Sequence, residues 1–172
     1  LSAAAFYRRA RELGVAFRFG ERVTGVIRRR GRVAGVRTDH GGYATGTIIN
    51  AGGAWARSLA QSLDGDLQVV PDSHEAGITE PVAPFIGPMI VDIRPTEGSK
   101  NYYFYQHKPG QVVFCITPEP PVVGTDRRET STFLPVIARR MVDLVPKLAN
   151  IKVRRTWRGL YPMTPDGSPL IG

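Results

Sequence analysis

Hydrophobic residues recur at helical spacing in three segments of the chain. In the N-terminal segment they are Ala3, Phe6, Ala10 and Leu13, with arginines on the opposite side. In the second segment they are Ala56, Ala60 and Leu63, and in the third Phe133, Val136, Ile137, Met141 and Leu144. This spacing predicts three amphipathic helices, the first of them packed on another part of the protein. The hydroxyl residues at 130–132 are expected to cap the third helix.

Runs of β-type residues fill most of the remaining chain. The N-terminal runs are 15–19, 22–29, 32–39 and 43–50, and glycines at 31 and 41–42 separate the last three. The later runs are 67–79, 89–93, 101–107, 111–117 and 151–161. Short strands joined by glycine turns predict an antiparallel meander. We therefore expect an α+β fold, in which a β-meander with helices is followed by a second antiparallel sheet.

The chain is basic, with a formal net charge of +8 among 172 residues and a pI of about 10.1. Its densest basic cluster, at 28–32, lies between two predicted strands, so we expect an exposed hairpin tip. No zinc-ligand set, recognition helix or aromatic RNA-binding pattern accompanies the cluster. The charge therefore does not favour a nucleic-acid partner, and the spacing of potential ligands does not favour a metal site.

Cys115 is the single cysteine of the chain, which excludes an intrachain disulfide and favours a cytoplasmic location. It lies in the apolar run 112–116, so we expect a buried, unreactive thiol. No apolar run approaches the roughly 18 to 20 residues of a membrane helix, so no integral membrane segment is expected. The chain begins without methionine and ends on a strand-like segment, which predicts a piece of a larger protein.

Glycine patterns give the first indication of specific chemistry. The sequence lacks the Gly-x-Gly-x-x-Gly fingerprint that brings dinucleotide phosphates close to the backbone. At 48–56 it instead reads IINAGGAWA, an apolar segment that leads through a small-residue turn into a predicted helix. Such a turn lets a ligand or another backbone approach closely. The alternative interpretation is a plain joint between a strand and a helix.

A second motif reads RTWRGLYPMTPDGSPLIG from residue 155 to residue 172. Together with the run at 48–56, it resembles the D-amino-acid oxidase, glycine oxidase and sarcosine oxidase family of flavoproteins. The resemblance spans nearly the whole chain, and it implies a fragment of an α/β flavoprotein. The intact protein is then expected to bind FAD, and this piece is not. Residues 1–66 and 147–172 would belong to the FAD-binding domain, and residues 67–146 to the substrate-binding domain.

The resemblance also assigns individual residues to the cofactor. Val23 matches the residue whose backbone faces the adenine end of FAD. The turn past the cofactor matches Ala51, Gly52, Gly53 and Trp55, and the approach to the flavin ring matches Gly159, Leu160 and Pro162. The resemblance gives no catalytic acid or base, since the reaction needs no strong protein base when the amine arrives neutral.

One aromatic strand of the predicted second sheet resembles the strand that forms the substrate wall in this family. Alternation places Tyr103 and Tyr105 on one face, and Tyr102 and Phe104 on the other. A tyrosine hydroxyl can bond a substrate carboxylate or amine. The expected substrate contacts are therefore Tyr103, Tyr105 and Tyr161, with an ordinary aromatic core as the alternative.

Tyr161 stands where glycine oxidases often place an arginine that holds the substrate carboxylate, which speaks against a simple glycine oxidase. His74 lies on a strand expected to line the substrate domain, whereas His40 and His107 are expected in solvent. The reaction implied by the resemblance is oxidation of the C–N bond of a small amine or amino acid. Sarcosine, glycine, proline and D-amino acids are the substrate types concerned.

The implied partners are the small amine or amino-acid substrate and the remaining FAD-domain segments of the parent chain. A piece separated from those segments is expected to be inactive and to expose an apolar face through which a homodimer can form. Two other functions stay open. One is a non-catalytic subunit or small-carboxylate-binding module derived from the same family, and the more distant one is a nucleic-acid-binding domain.

Overall fold

The computed structural model describes residues 2–171, so Leu1 and Gly172, the last residue of the C-terminal motif, lie outside the described range. Contacts divide the chain into two compact units. The first runs to Asn50 and includes Leu59–Gly65, and the second consists of Ala51–Ser58 and the chain from Asp66 onward. The expected cofactor and substrate domains have different boundaries, and that division stays a prediction.

The first unit contains a helix and a three-stranded antiparallel sheet. Helix α1 is Ser2–Glu12, and strands β1, β2 and β3 are Val23–Arg29, Arg32–Thr38 and Gly42–Ala44, paired in the order β1-β2-β3. The hairpin between β1 and β2 turns at Arg30 and Gly31, which both have positive φ, as a tight hairpin turn requires. The predicted meander and its exposed arginine tip are confirmed.

The first predicted helix is confirmed as α1, but it buries none of its residues, and Phe6 on its apolar side is 78% exposed. Two predicted strands of this unit are not formed. The predicted strand at 15–19 is absent, and its aromatic residues Phe17 and Phe19 pack against Tyr7 of the helix. Residues 47–50 form no strand either. The reason is the same for both segments: a strand needs a neighbour for its backbone hydrogen bonds, and none of the described strands pairs with them.

A short helical segment follows β3 in the chain. The 3₁₀ turn Gly53–Trp55 leads directly into helix α2, Ala56–Gln61, in place of the single longer helix that the apolar spacing predicts. Ala54, Ala56 and Ala60 are buried. The predicted helix is therefore present and buries its alanines as expected, but it is shorter than predicted.

The second unit is built on a five-stranded antiparallel sheet in the order β5-β6-β7-β4-β8. Its strands are β4 (Val70–Thr79), β5 (Ile90–Asp92), β6 (Gly98–Gln106), β7 (Val112–Glu119) and β8 (Val153–Met163). All five overlap segments where the sequence predicts strands. The C-terminal strand β8 pairs with β4 along its length, so residues far apart in sequence meet at one edge of the sheet.

The core lies between this sheet and helix α3, Phe133–Leu144. Its apolar stripe buries Phe133, Ile137 and Met141 against sheet residues that include Tyr102 and Phe114. The predicted amphipathic helix is confirmed, and a short 3₁₀ helix, Pro146–Asn150, follows it.

The expected cap of helix α3 is not formed in the predicted way. Thr132 is the N-cap residue but makes no side-chain capping bond. Thr130 instead donates through its backbone N–H (2.6 Å) and its hydroxyl (2.7 Å) to the buried carboxylate of Glu75 on β4. A hydroxyl side chain can serve either the helix end or a nearby acceptor, and here the acceptor on the sheet takes the bonds.

Candidate functional site

Cross-strand pairing places a row of side chains on the sheet face opposite the α3 core. Tyr103 pairs with Cys115, Cys115 with Ala76, and Ala76 with Trp157. Directly opposite residues point to the same side of a sheet, and we call this side the tyrosine face. Tyr102 is fully buried on the core side, so the predicted alternation along β6 is confirmed.

Two tyrosines meet on the tyrosine face. The hydroxyl oxygens of Tyr103 on β6 and Tyr161 on β8 are 3.4 Å apart, and Tyr161 is 39% exposed. Burial raises the pKa of Tyr103, and the hydrogen bond with Tyr161 adds to this effect. Tyr103 is therefore a neutral hydroxyl donor at physiological pH. Tyr105 lies on the same face, two positions further along β6, and is half-buried.

A histidine and an aspartate on β4 border this tyrosine pair. The imidazole of His74 stacks on the ring of Tyr161, with centroids 4.2 Å apart and an angle of 27° between the planes. Its Nε2–H donates to Oδ2 of Asp72 at 3.1 Å, and both side chains are buried. The sequence singled out His74 but missed Asp72. Asp72 could have been found from its spacing, because residues two positions apart on a strand, such as Asp72 and His74, lie on the same face.

Cys115 lies beside Tyr103 in the middle of the tyrosine face, and it is only 3% exposed. Burial raises the pKa of its thiol. The expectation of a buried cysteine is confirmed, and a thiol with a raised pKa is a poor nucleophile at neutral pH.

Residues of the C-terminal motif divide between the two sides of β8. Gly159 pairs with His74 and Tyr161 pairs with Asp72, so both positions belong to the tyrosine face. Alternation turns Leu160 and Pro162 to the other side. No heavy atom lies within 4 Å of the position that a Cβ at Gly159 would occupy. The backbone of this edge strand is therefore open to a flat ligand.

The turn at Ala51–Trp55 lies close to the same strand. Its 3₁₀ segment contacts both β4 and β8. Gly53 has a φ of 53°, which favours glycine, and Trp55 is 55% exposed. The structure thus places this predicted cofactor turn against β8, the strand that carries the predicted flavin approach.

Val23 belongs to the first unit and starts strand β1, where it is 46% exposed. It lines an open cleft of about 430 Å³ together with Val36 and Tyr43. In the lining of the same cleft, Glu21 accepts a hydrogen bond from Thr38 at 2.6 Å, which lowers the pKa of its carboxyl. A cleft lined by apolar and polar side chains can take a flat heterocycle, and the adenine role expected for Val23 stays a prediction.

The histidines away from the tyrosine face are solvated. His40 and His107 are exposed, as expected. Across residues 2–171 no group of side chains has a metal-binding arrangement. In the same range, no helix combines the length and apolar character needed to cross a membrane.

Comparison with known proteins adds family information to this geometry. The model of the FAD dependent oxidoreductase family, DAO, matches residues 2–172. The hydrogen cyanide synthase subunit HcnC of Pseudomonas aeruginosa is 32% identical over 170 residues, which is 98% of this chain and 39% of that protein. The glycine oxidase of Pseudomonas putida is 29% identical over 150 residues, 87% of this chain and 39% of that protein.

Among solved structures, L-proline dehydrogenase from P. horikoshii superposes with a TM-score of 0.86 at 27% identity. The match covers 99% of this chain and 45% of that protein. The chain therefore spans less than half the length of the relatives it matches.

Proposed function

This chain belongs to the FAD-dependent oxidoreductase family, and we propose that the complete protein oxidises the C–N bond of a small amine or amino acid. The substrate types that we propose are glycine, sarcosine, proline and D-amino acids. The observation that carries the proposal is the tyrosine face, where the paired hydroxyls of Tyr103 and Tyr161 share one side of the sheet with the open backbone at Gly159.

The residues that would hold FAD fit a flat cofactor. Gly159 offers a strand edge without a side chain, and the turn that contains Gly53 contacts the same strand. Val23, the residue proposed to face the adenine, lines a cleft within the first unit. When bound, FAD supplies the two-electron acceptor that takes a hydride from the substrate carbon next to nitrogen, leaving an imine that water hydrolyses.

The chain's own residues orient the substrate and exclude water. The hydroxyls of Tyr103 and Tyr161 can donate to a substrate carboxylate, while their rings shield the reacting carbon from solvent. Tyr161 takes the place of the arginine common in glycine oxidases, so recognition of the carboxylate would rest on neutral donors. Neutral hydroxyls attract a carboxylate less strongly than a guanidinium does. This favours substrates whose apolar part, such as the proline ring, adds contact with the aromatic wall.

The complete protein provides the test. It is purified, assayed for bound FAD, and incubated with glycine, sarcosine, L-proline or D-alanine and an artificial electron acceptor. We expect one of these substrates to give an imine or its hydrolysis product, identified by mass spectrometry. A protein that holds FAD, binds acetate and turns over none of the four would contradict the proposal and favour a carboxylate-binding module.

A further inference from the structure

We propose that Asp72 and His74 are positioning residues for Tyr161, fixing its hydroxyl beside that of Tyr103. The inference rests on the proposed function, in which Tyr161 contacts the substrate. It goes further by giving two residues outside the C-terminal motif a role in substrate recognition.

The register of β4 and β8 creates the contact between these residues. Asp72 lies directly opposite Tyr161, and His74 follows two positions later on the same face. The residue opposite His74 is Gly159, which has no side chain. His74 thus meets Tyr161 diagonally, and their rings stack at 4.2 Å between centroids. Diagonal neighbours on one sheet face are within reach for aromatic side chains.

Asp72 restricts the imidazole in turn. Its Oδ2 accepts the Nε2–H of His74 at 3.1 Å, and its Oδ1 accepts the backbone N–H of Ser73 at 2.9 Å. The side chains of His74 and Asp72 are 8% and 9% exposed. A carboxylate is costly to bury unless hydrogen bonds satisfy it. The pair is therefore a fixed part of the sheet, against which the Tyr161 ring rests.

This contact has a direct consequence for recognition. Tyr161 is 39% exposed, so the stack with His74 limits the rotamers open to a ring that solvent would otherwise leave free. Holding the Tyr161 hydroxyl near Tyr103 therefore prearranges two donors for one substrate group.

The test is a double-mutant cycle in the complete, FAD-loaded protein. His74→Gln keeps a donor for Asp72 but removes the ring, and we expect it to raise KM about tenfold while changing kcat less than about threefold. In a Tyr161→Ala background the same change should have no further effect beyond about twofold. His107→Gln, the same substitution at an exposed turn, should leave both constants unchanged. Equal effects of His74→Gln in both backgrounds would overturn the proposal.

A conservative double variant covers the case in which His74→Gln disturbs the fold. Asp72→Asn with His74→Phe keeps the bond to the Ser73 backbone and an aromatic ring against Tyr161, and it buries no charge. We expect its KM to lie within about threefold of the wild-type value. A KM as high as that of Tyr161→Ala would contradict the positioning role.

Fluorine NMR detects the contact between His74 and Tyr161 in the absence of catalysis. In protein labelled with 3-fluorotyrosine, the signal lost in Tyr161→Phe identifies Tyr161. His74→Gln should shift that signal through loss of the stacked ring, and His107→Gln should not. An unshifted signal would refute the contact itself. Failure of the complete protein to oxidise any amino acid, with the shift present, would instead count against the proposed function.

Discussion

The hydroxyl oxygens of Tyr103 and Tyr161 lie 3.4 Å apart, although two strands of the sheet separate β6 from β8. Hydroxyl pairs that bond strongly to each other are closer, at about 2.7 to 2.8 Å. The bond between these two hydroxyls is therefore weak, and breaking it to turn both O–H groups toward a third group costs little. A carboxylate accepts two donors at once, so we propose this pair as the point of contact for an amino-acid substrate.

Tyr103→Phe and Tyr161→Phe should each raise KM for an amino-acid substrate about tenfold, because a hydrogen bond to a charged group is worth about 1.5 to 3 kcal/mol. Steady-state kinetics with the complete protein checks this expectation. Tyr102→Phe serves as the control, since the hydroxyl of Tyr102 donates to the backbone oxygen of Arg140 on the core side. An unchanged KM in both test variants would remove these tyrosines from the substrate site.

Gly159→Ala should weaken FAD binding without weakening the fold. Apart from its chain neighbours, the added methyl group meets no atom of the described residues within 4 Å, so we expect it to clash with a bound ligand rather than with the sheet. Equilibrium dialysis of FAD and thermal unfolding without FAD measure the two effects. Gly77→Ala on the neighbouring strand gives the opposite contrast, since its Cβ would lie 2.4 Å from Cζ of Phe114. We expect that variant to lose about 1 to 3 kcal/mol of stability. Wild-type FAD affinity in Gly159→Ala would exclude close approach of the cofactor there.

Glu75→Ala should destabilise the second unit by about 3 kcal/mol, because a buried charge network loses its acceptor. The Glu75 carboxylate accepts two hydrogen bonds from Thr130 and lies 3.7 Å from Arg158, whose side chain is 10% exposed. Urea unfolding measures the loss, and Glu80→Ala is the matched control at an exposed position. A loss no larger than that of the control would show that the Thr130 loop is not held by Glu75.

Cys115 should make stability pH-dependent at alkaline pH. Its folded pKa is raised by burial above the ordinary value of 9.0, so the folded state opposes loss of the proton. The stabilisation is therefore complete below pH 9.0 and is lost as pH rises toward the folded pKa, by up to about 1.4 kcal/mol per pH unit. Urea unfolding of wild type and Cys115→Ala across this range isolates the contribution. Parallel pH profiles would contradict it.

The sequence predicted which side chains of one strand share a face, but it did not predict which side chains of different strands meet in the candidate site. Strict alternation along β6 was enough to separate Tyr103 from Tyr102, because successive side chains on a strand point to opposite faces. The stack of His74 on Tyr161 depends on the register between β4 and β8, which are separated in the chain by three other strands. Nothing in either segment alone specifies that register, so the role of Asp72 was not foreseen.

Wrong predictions in the first unit have a different origin. Residues 15–19 and 47–50 have strand-like composition but form no strand, since β propensity reflects packing against neighbours more than backbone preference. Ile49 is 87% exposed and Phe19 76%. The composition of these segments is typical of strands, but composition does not show whether a neighbouring strand is available to pair with them.

Anaerobic titration of the complete, FAD-containing protein tests the central claim most directly. Glycine, sarcosine, L-proline and D-alanine are added in turn without oxygen, and the visible absorbance of the flavin is followed. We predict that one of them bleaches the flavin fully at about one equivalent, because oxidation of one C–N bond delivers two electrons. A protein that holds FAD and stays yellow with all four substrates would contradict the assignment as an amine or amino-acid oxidoreductase.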